Sequence, residues 1–188
     1  MKFSKKYLYT LLLLGTLGIL VVFSPVGGRI KSRISSLLTG YRVDKSLGEQ
    51  IPLEGYDWKL IDRQGKAFDF DNVKNEVVLI NFWASWCQPC VQEMPSLQKL
   101  YDEYGQKVRF LFVAQDETIK VDAFMTKRQY GFPVYYSIAN KPDLFISNVI
   151  PATYILDKSG KIVLATTGSK DWYDQGTRSL IDALLQKG

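Results

Sequence analysis

Residues 76–84 read EVVLINFWA, an apolar run from Val77 onward interrupted only by Asn81, and the chain's two cysteines, Cys87 and Cys90, follow almost at once in WCQPC. A short apolar run of this kind suits a strand buried on both faces, as in the interior of a parallel sheet. Parallel strands need a long crossover, commonly a helix, so a helix should follow. Residues 89–105, PCVQEMPSLQKLYDEYG, supply one: Val91, Met94, Leu97, Leu100 and Tyr104 fall at helical spacing, Gly105 marks the end, and Pro95 predicts a kink.

The alternation continues. KVRFLFVAQ (107–115) reads as a second buried strand, IKVDAFMTKRQYG (119–131) as a second helix, and VYYSI (134–138) as a third strand. A short helical stretch is expected in PDLFISN (142–148), a hairpin turning on Lys158-Ser159-Gly160 in 153–168, and an amphipathic helix in 177–187. Ahead of all this, DWKLID and KAFDF flank Arg63-Gln64-Gly65 and read as one more hairpin. The expected fold class is α/β, a mixed central sheet flanked by helices with an added N-terminal hairpin.

Upstream, residues 7–23 carry no charge in a sequence of 188 residues with net charge +5. At 1.5 Å per residue they span roughly 25 Å, near the lower limit for crossing a bilayer. The run exceeds a signal-peptide core of about 7–15 residues, and Ser24-Pro25-Val26-Gly27-Gly28 offers only a weak cleavage site. The expected organisation is a basic cytoplasmic tail (1–6), a transmembrane signal anchor (7–23), a juxtamembrane linker (24–42) and one globular domain (43–188); cleavage of the leader is the alternative. Lys2, Lys5 and Lys6 before the span and Arg29, Lys31 and Arg33 after it suit the lipid bilayer. No basic run with interleaved aromatics occurs in the body of the chain, so no nucleic-acid partner is expected.

The chain has no histidine, which removes imidazole metal ligation and His-dependent triads, and two thiolates alone make a poor zinc site. No metal and no separate cofactor are expected. Cys87 falls where the strand ends and the helix begins, and Cys90 lies one turn inside, on the same face. Pro89 fits this first turn because it needs no amide donor there. Helix N-terminal N–H groups favour a thiolate at Cys87, and lowering a thiol pKa from about 8.5 to about 7 raises the thiolate fraction at neutral pH from roughly 3% to roughly 50%. Such a pair suits a redox-active disulfide; a structural disulfide closing so small a loop would add little stability.

FWASWCQPC after a hydrophobic strand, Pro95 five positions beyond the second cysteine, and VIPATYILD at 149–157 together resemble the thioredoxin superfamily, specifically its membrane-anchored TlpA-like/ResA-like thiol-disulfide oxidoreductases, over residues 43–188. The resemblance implies a thioredoxin-like fold with Cys87 attacking, Cys90 resolving, and Pro151 as a cis-proline whose loop lies against the disulfide. It further places Trp86, Gln88, Pro89, Ile150 and Pro151 on the substrate-binding surface, with Trp86 able to shield the Cys87 sulfur. Asn81 stands where thioredoxins proper carry a buried acid, and Ala152 where a Thr often follows the cis-proline. In the ResA-like branch a catalytic acid lies six residues after the first cysteine, which is Glu93 here; on the residues alone Glu93 reads equally as a solvated helix charge.

The implied reaction is exchange of the Cys87–Cys90 disulfide with disulfide-containing or dithiol protein partners, in the reducing direction. The anchor and the exchange-active pair favour the extracytoplasmic, periplasmic side of the cytoplasmic (inner) membrane. There the resemblance implies a transmembrane electron donor and apocytochrome c among the substrates, a part in cytochrome c biogenesis. Two other readings stay open: a thiol peroxidase of the same fold, which would need Thr where this chain has Ala84, and a non-catalytic membrane-tethered binding module with a structural disulfide.

Overall fold

The computed structural model describes residues 57–145 and 149–187. The expected tail, anchor and linker, and the beginning of the expected domain, lie outside these residues. Among the described residues no helix is long and apolar enough to cross a membrane.

Seven strands form one sheet in the order β2-β1-β5-β4-β3-β6-β7. They are β1 (Lys59–Asp62), β2 (Ala67–Asp69), β3 (Val78–Trp83), β4 (Arg109–Ala114), β5 (Val134–Ala139), β6 (Ala152–Leu156) and β7 (Ile162–Thr167); the helices are α1 (Gln88–Tyr104), α2 (Thr118–Arg128) and α3 (Gln175–Gln186). The strands β3, β4 and β5 run parallel, joined through α1 and α2. The hairpins β1-β2 and β6-β7 extend the sheet at either side by antiparallel pairing to β5 and β3. This is the mixed sheet with an added N-terminal hairpin that the periodicities predict.

Both hairpins turn by the same device. Asp62 Oδ1 accepts the N–H groups of Gln64 and Lys66, and Asp157 Oδ1 accepts those of Ser159 and Lys161. Gly65 (φ 81°) and Gly160 (φ 80°) take the left-handed position that each turn requires. The first helix ends at Gly105 as expected, and the second ends earlier than expected. Gly105 closes α1 in a right-handed conformation (φ −61°); it is glycine because a Cβ there would sit 2.7 Å from the Tyr101 carbonyl oxygen. Helix α2 stops at Arg128, short of Gly131, because Gln129 adopts the left-handed conformation. Helix α1 runs through Pro95 as one element.

Every residue of β3 is buried, and its alternation feeds two cores. Leu79 and Trp83 face a core built with Cys90, Met94 and Leu97 of α1, Val121 and Met125 of α2, and Ile181 and Leu184 of α3. Val78, Ile80 and Phe82 face a second core of Trp58, Phe70, Phe145 and Tyr154, covered by the 3-10 turns Phe70–Val73 and Asp143–Phe145. The described helices thus pack on one face of the sheet, and short turns with large aromatic rings close the other.

Candidate active site at the start of helix α1

The chain leaves β3 through Ala84 and Ser85. Asp116, just past β4, holds this exit by accepting the Ser85 N–H (3.1 Å) and hydroxyl (2.5 Å) on one carboxylate oxygen. The Asp116 carboxyl titrates below the usual range: partial burial works against ionisation, but the bonds from Ser85 and the Glu117 N–H outweigh it. Cys87 then caps α1, its Sγ accepting the Cys90 N–H at 3.3 Å, with Pro89 in the first turn as expected. That bond and the helix dipole stabilise negative charge on Cys87.

Cys87 and Cys90 are joined in a disulfide, with Cα atoms 5.3 Å apart. Cys87 is 5% exposed and Cys90 0%, so Cys87 is the outer of two buried sulfurs. The Ile150–Pro151 peptide is cis, and the Ile150 carbonyl oxygen lies 3.7 Å from Cys87 Sγ, which brings the loop ahead of β6 against the disulfide. Trp86 is 64% exposed and presents its ring to solvent, whereas Trp83 is fully buried. Gln88 and Pro89 are exposed, Ile150 half-buried and Pro151 buried. With Val149, 61% exposed, these residues give the surface beside Cys87 an apolar character.

Glu93 is no solvated helix charge: it is 1% exposed. It lies one turn beyond Cys90 on the sheet-facing side of α1. Asn81 of β3, the direct partner of Thr153 of β6 across the sheet, meets it there. Asn81 Nδ2 donates to Glu93 Oε1 (2.9 Å) and to Thr153 Oγ1 (2.8 Å). Trp172 Nε1 donates to Glu93 Oε2 (2.8 Å), and the Lys170 N–H reaches the same oxygen at 3.4 Å. Burial pushes the Glu93 carboxyl up to about 7, against these donors, led by Trp172 and Asn81, and against the nearby Lys170 charge. Asn81 Oδ1 is buried with no hydrogen-bond partner among the described residues, so an acceptor is spare beside a carboxyl that can hold a proton.

The site therefore joins a nucleophile position stabilised by a helix start, a second cysteine fully enclosed behind it, and a carboxyl that changes charge near neutrality. Thr153, Lys170 and Trp172 had no place in the sequence reading. The one signal for Trp172 was a large aromatic within the polar stretch SKDWYDQG, which is an unfavourable place for a tryptophan unless it is buried.

The family model of the AhpC/TSA family matches residues 47–165. The thiol-disulfide oxidoreductase ResA of Bacillus cereus is 31% identical over 155 residues, covering 81% of this chain and 86% of its own length. The thioredoxin-like protein YneN of Bacillus subtilis is 36% identical over 124 residues, covering 63% and 72%. Among solved structures, a Chlorobium tepidum protein assigned as a thiol:disulfide interchange protein DsbE superposes with a TM-score of 0.60 at 25% identity, covering 69% of this chain and 93% of its own. A Bacteroides vulgatus protein assigned as a thiol-disulfide oxidoreductase gives 0.56 at 27%, covering 67% and 90%. With a thioredoxin-like sheet, a Cys87–Cys90 pair at the start of α1 and this kinship, the chain belongs to the AhpC/TSA family, among its ResA-like thiol-disulfide oxidoreductases.

Proposed function

We propose that the protein works as a reductant of protein disulfides outside the cytoplasmic membrane, with Cys87 attacking, Cys90 resolving and Glu93 tuning the pair. The observation that carries this reading is the pairing of opposed influences on one couple: the Cys90 N–H on Cys87 Sγ, and the buried Glu93 carboxyl one turn beyond Cys90. The first favours the thiolate; the second, when ionised, repels it. Destabilising the reduced, ionised form makes a dithiol a stronger reductant.

In the forward direction the Cys87 thiolate attacks one sulfur of the partner disulfide. The partner S–S bond breaks, and its other sulfur leaves with the electron pair and takes up a proton. Cys90 loses its proton and attacks Cys87 Sγ in the mixed disulfide. The bond to the partner breaks, and the second partner sulfur leaves with the electron pair and is protonated in turn. Two electrons have passed to the partner, and the Cys87–Cys90 disulfide has formed. Trp86, Gln88, Pro89, Ile150 and Pro151 border the partner, whose chain lies over the apolar surface beside Cys87. Apocytochrome c fits as a substrate class, and a transmembrane dithiol carrier as the source of electrons, if residues 7–23 anchor the domain on the outer face.

Trapping tests the roles: Cys90→Ser should accumulate a mixed disulfide through Cys87 with a disulfide partner, and Cys87→Ser should form none. A mixed disulfide through Cys90 would reverse the assignment. For location, alkaline carbonate extraction should leave the full chain in the membrane fraction. A soluble mature form beginning near residue 25 or 29 would remove the anchor.

A further inference from the structure

The loop from β7 to α3 reaches back to α1 at one point. Trp172, fully buried, donates its backbone N–H to Ser96 Oγ (2.9 Å), and Ser96 in turn donates to the Glu93 carbonyl (2.7 Å). The same residue's indole N–H ends on the Glu93 carboxyl. Lys170 Nζ lies 4.7 Å from the centre of the Trp172 ring and is itself fixed by Asp174 and Thr177 Oγ1, each at 3.0 Å. Trp172 is thus held by backbone and ring at once, with its single side-chain donor aimed at one carboxylate oxygen. A contrast lies in the same core: Trp83 is equally buried, yet its Nε1 has no hydrogen-bond partner among the described residues.

We propose that Trp172 is a positioning residue for thiol exchange, its indole N–H fixing the Glu93 carboxyl behind Cys90 and setting the pH at which that carboxyl ionises. The inference rests on the reading of Glu93 as the tuning group. A donor to a carboxylate favours its charged form, and among the donors to Glu93 the Trp172 indole is the foremost. Among the described residues the charged group acting on Glu93 is Lys170 in the loop, itself paired with Asp174, and Cys90 stands one turn before Glu93 on α1. The sheet contributes the neutral Asn81 and Thr153, and α3 the neutral Thr177 that holds Lys170.

In the disulfide form the cysteines do not titrate, so Glu93 can be followed by itself. The test is a pH titration of carbon-13-labelled glutamate carboxyls in the oxidised full chain, with Glu93→Gln identifying the signal. Trp172→Phe should raise the Glu93 midpoint by about one to two pH units, a 10- to 100-fold change in proton affinity. Trp83→Phe, which removes an N–H that bonds to nothing, should leave it in place. Equal shifts in both variants, or none in Trp172→Phe, would overturn the proposal. Should Trp172→Phe fail to fold, the wild-type protein suffices: the Trp172 indole N–H resonance should move with the Glu93 midpoint while that of Trp83 does not, and a silent Trp172 resonance would overturn the proposal equally. Thiol ionisation in the reduced protein separates the two layers. If Glu93→Gln leaves it unchanged, the proposal falls together with the Glu93 reading; if the thiols respond but Trp172→Phe does not move Glu93, the proposal alone falls.

Discussion

The two faces of β3 carry different burdens. Val78, Ile80 and Phe82 enter a core whose rings meet at centroid distances of 5.2–6.3 Å around Phe145, with Trp58, Phe70 and Tyr154 as neighbours. Leu79, Asn81 and Trp83 enter the core beneath the helices, and there the middle residue meets a buried carboxyl. One face uses its burial for packing alone. The other encloses an ionisable group at a cost to stability, beside the disulfide that does the chemistry. The separation is local, since adjacent residues of one strand serve the two ends.

The largest effect should fall on the helical face. Cys87→Ser is expected to abolish disulfide exchange in an insulin or glutathione turnover assay, while Phe145→Ala on the aromatic face should leave exchange by the folded protein near wild type. Stability should show the reverse. Urea unfolding of Phe145→Ala should reveal a loss of about 3–5 kcal/mol, the usual result of emptying a buried aromatic site. Its pH dependence should be unaltered. A Phe145→Ala protein with impaired chemistry and unchanged stability would break the comparison.

The pH dependence belongs to Glu93. Its carboxyl moves from an ordinary 4.5 when unfolded to about 7 when folded, so between those values the native state holds a proton that the unfolded chain has lost. Stability from this source is complete below about pH 4.5 and falls as pH rises towards 7, in total by about 3 kcal/mol. Glu93→Gln should flatten that part of the stability profile in urea titrations run from pH 4.5 to 8. A Gln variant with the same slope as wild type would locate the titration elsewhere.

The smallest effect on stability is expected at the surface. Trp86→Ala should change unfolding free energy by no more than about 0.5 kcal/mol, since the ring is mostly in solvent. The proposed docking role predicts a raised KM towards a folded protein disulfide with little change towards a small-molecule disulfide. Equal losses towards both would place Trp86 in the chemistry instead.

Much of the scaffold was legible because its signals are local. The continuous run at 76–84, the Asp-x-x-Gly turns and the helical stripe of α1 each fix an element within a few residues of themselves. Glu93 was half legible: it lies three residues after Cys90 and four before Leu97, both on the buried face, so its place on the apolar stripe was readable but its partners were not. Asn81 and Trp172 reach it across 12 and 79 positions of sequence, and Thr153 accepts from Asn81 across 72; strand pairing together with a loop's return brings them together. Such contacts leave no mark in periodicity. The aromatic cover of the other sheet face was legible in part: the short helical stretch expected at 142–148 appears as the 3-10 turn Asp143–Phe145, whereas the turn Phe70–Val73 is too short to leave a periodic signal.

The most direct test of a buried carboxyl tuning a redox-active pair is the equilibrium reduction potential of Cys87–Cys90, in wild type and in Glu93→Gln, against a dithiothreitol or glutathione buffer at pH 7. The expected wild-type value lies above about −300 mV, in the range of exchanging dithiols rather than structural disulfides. Glu93→Gln should be less negative, by about 30 mV for each unit by which the thiol pKa falls. A wild-type potential well below about −300 mV, or an identical potential in the two proteins, would contradict the account.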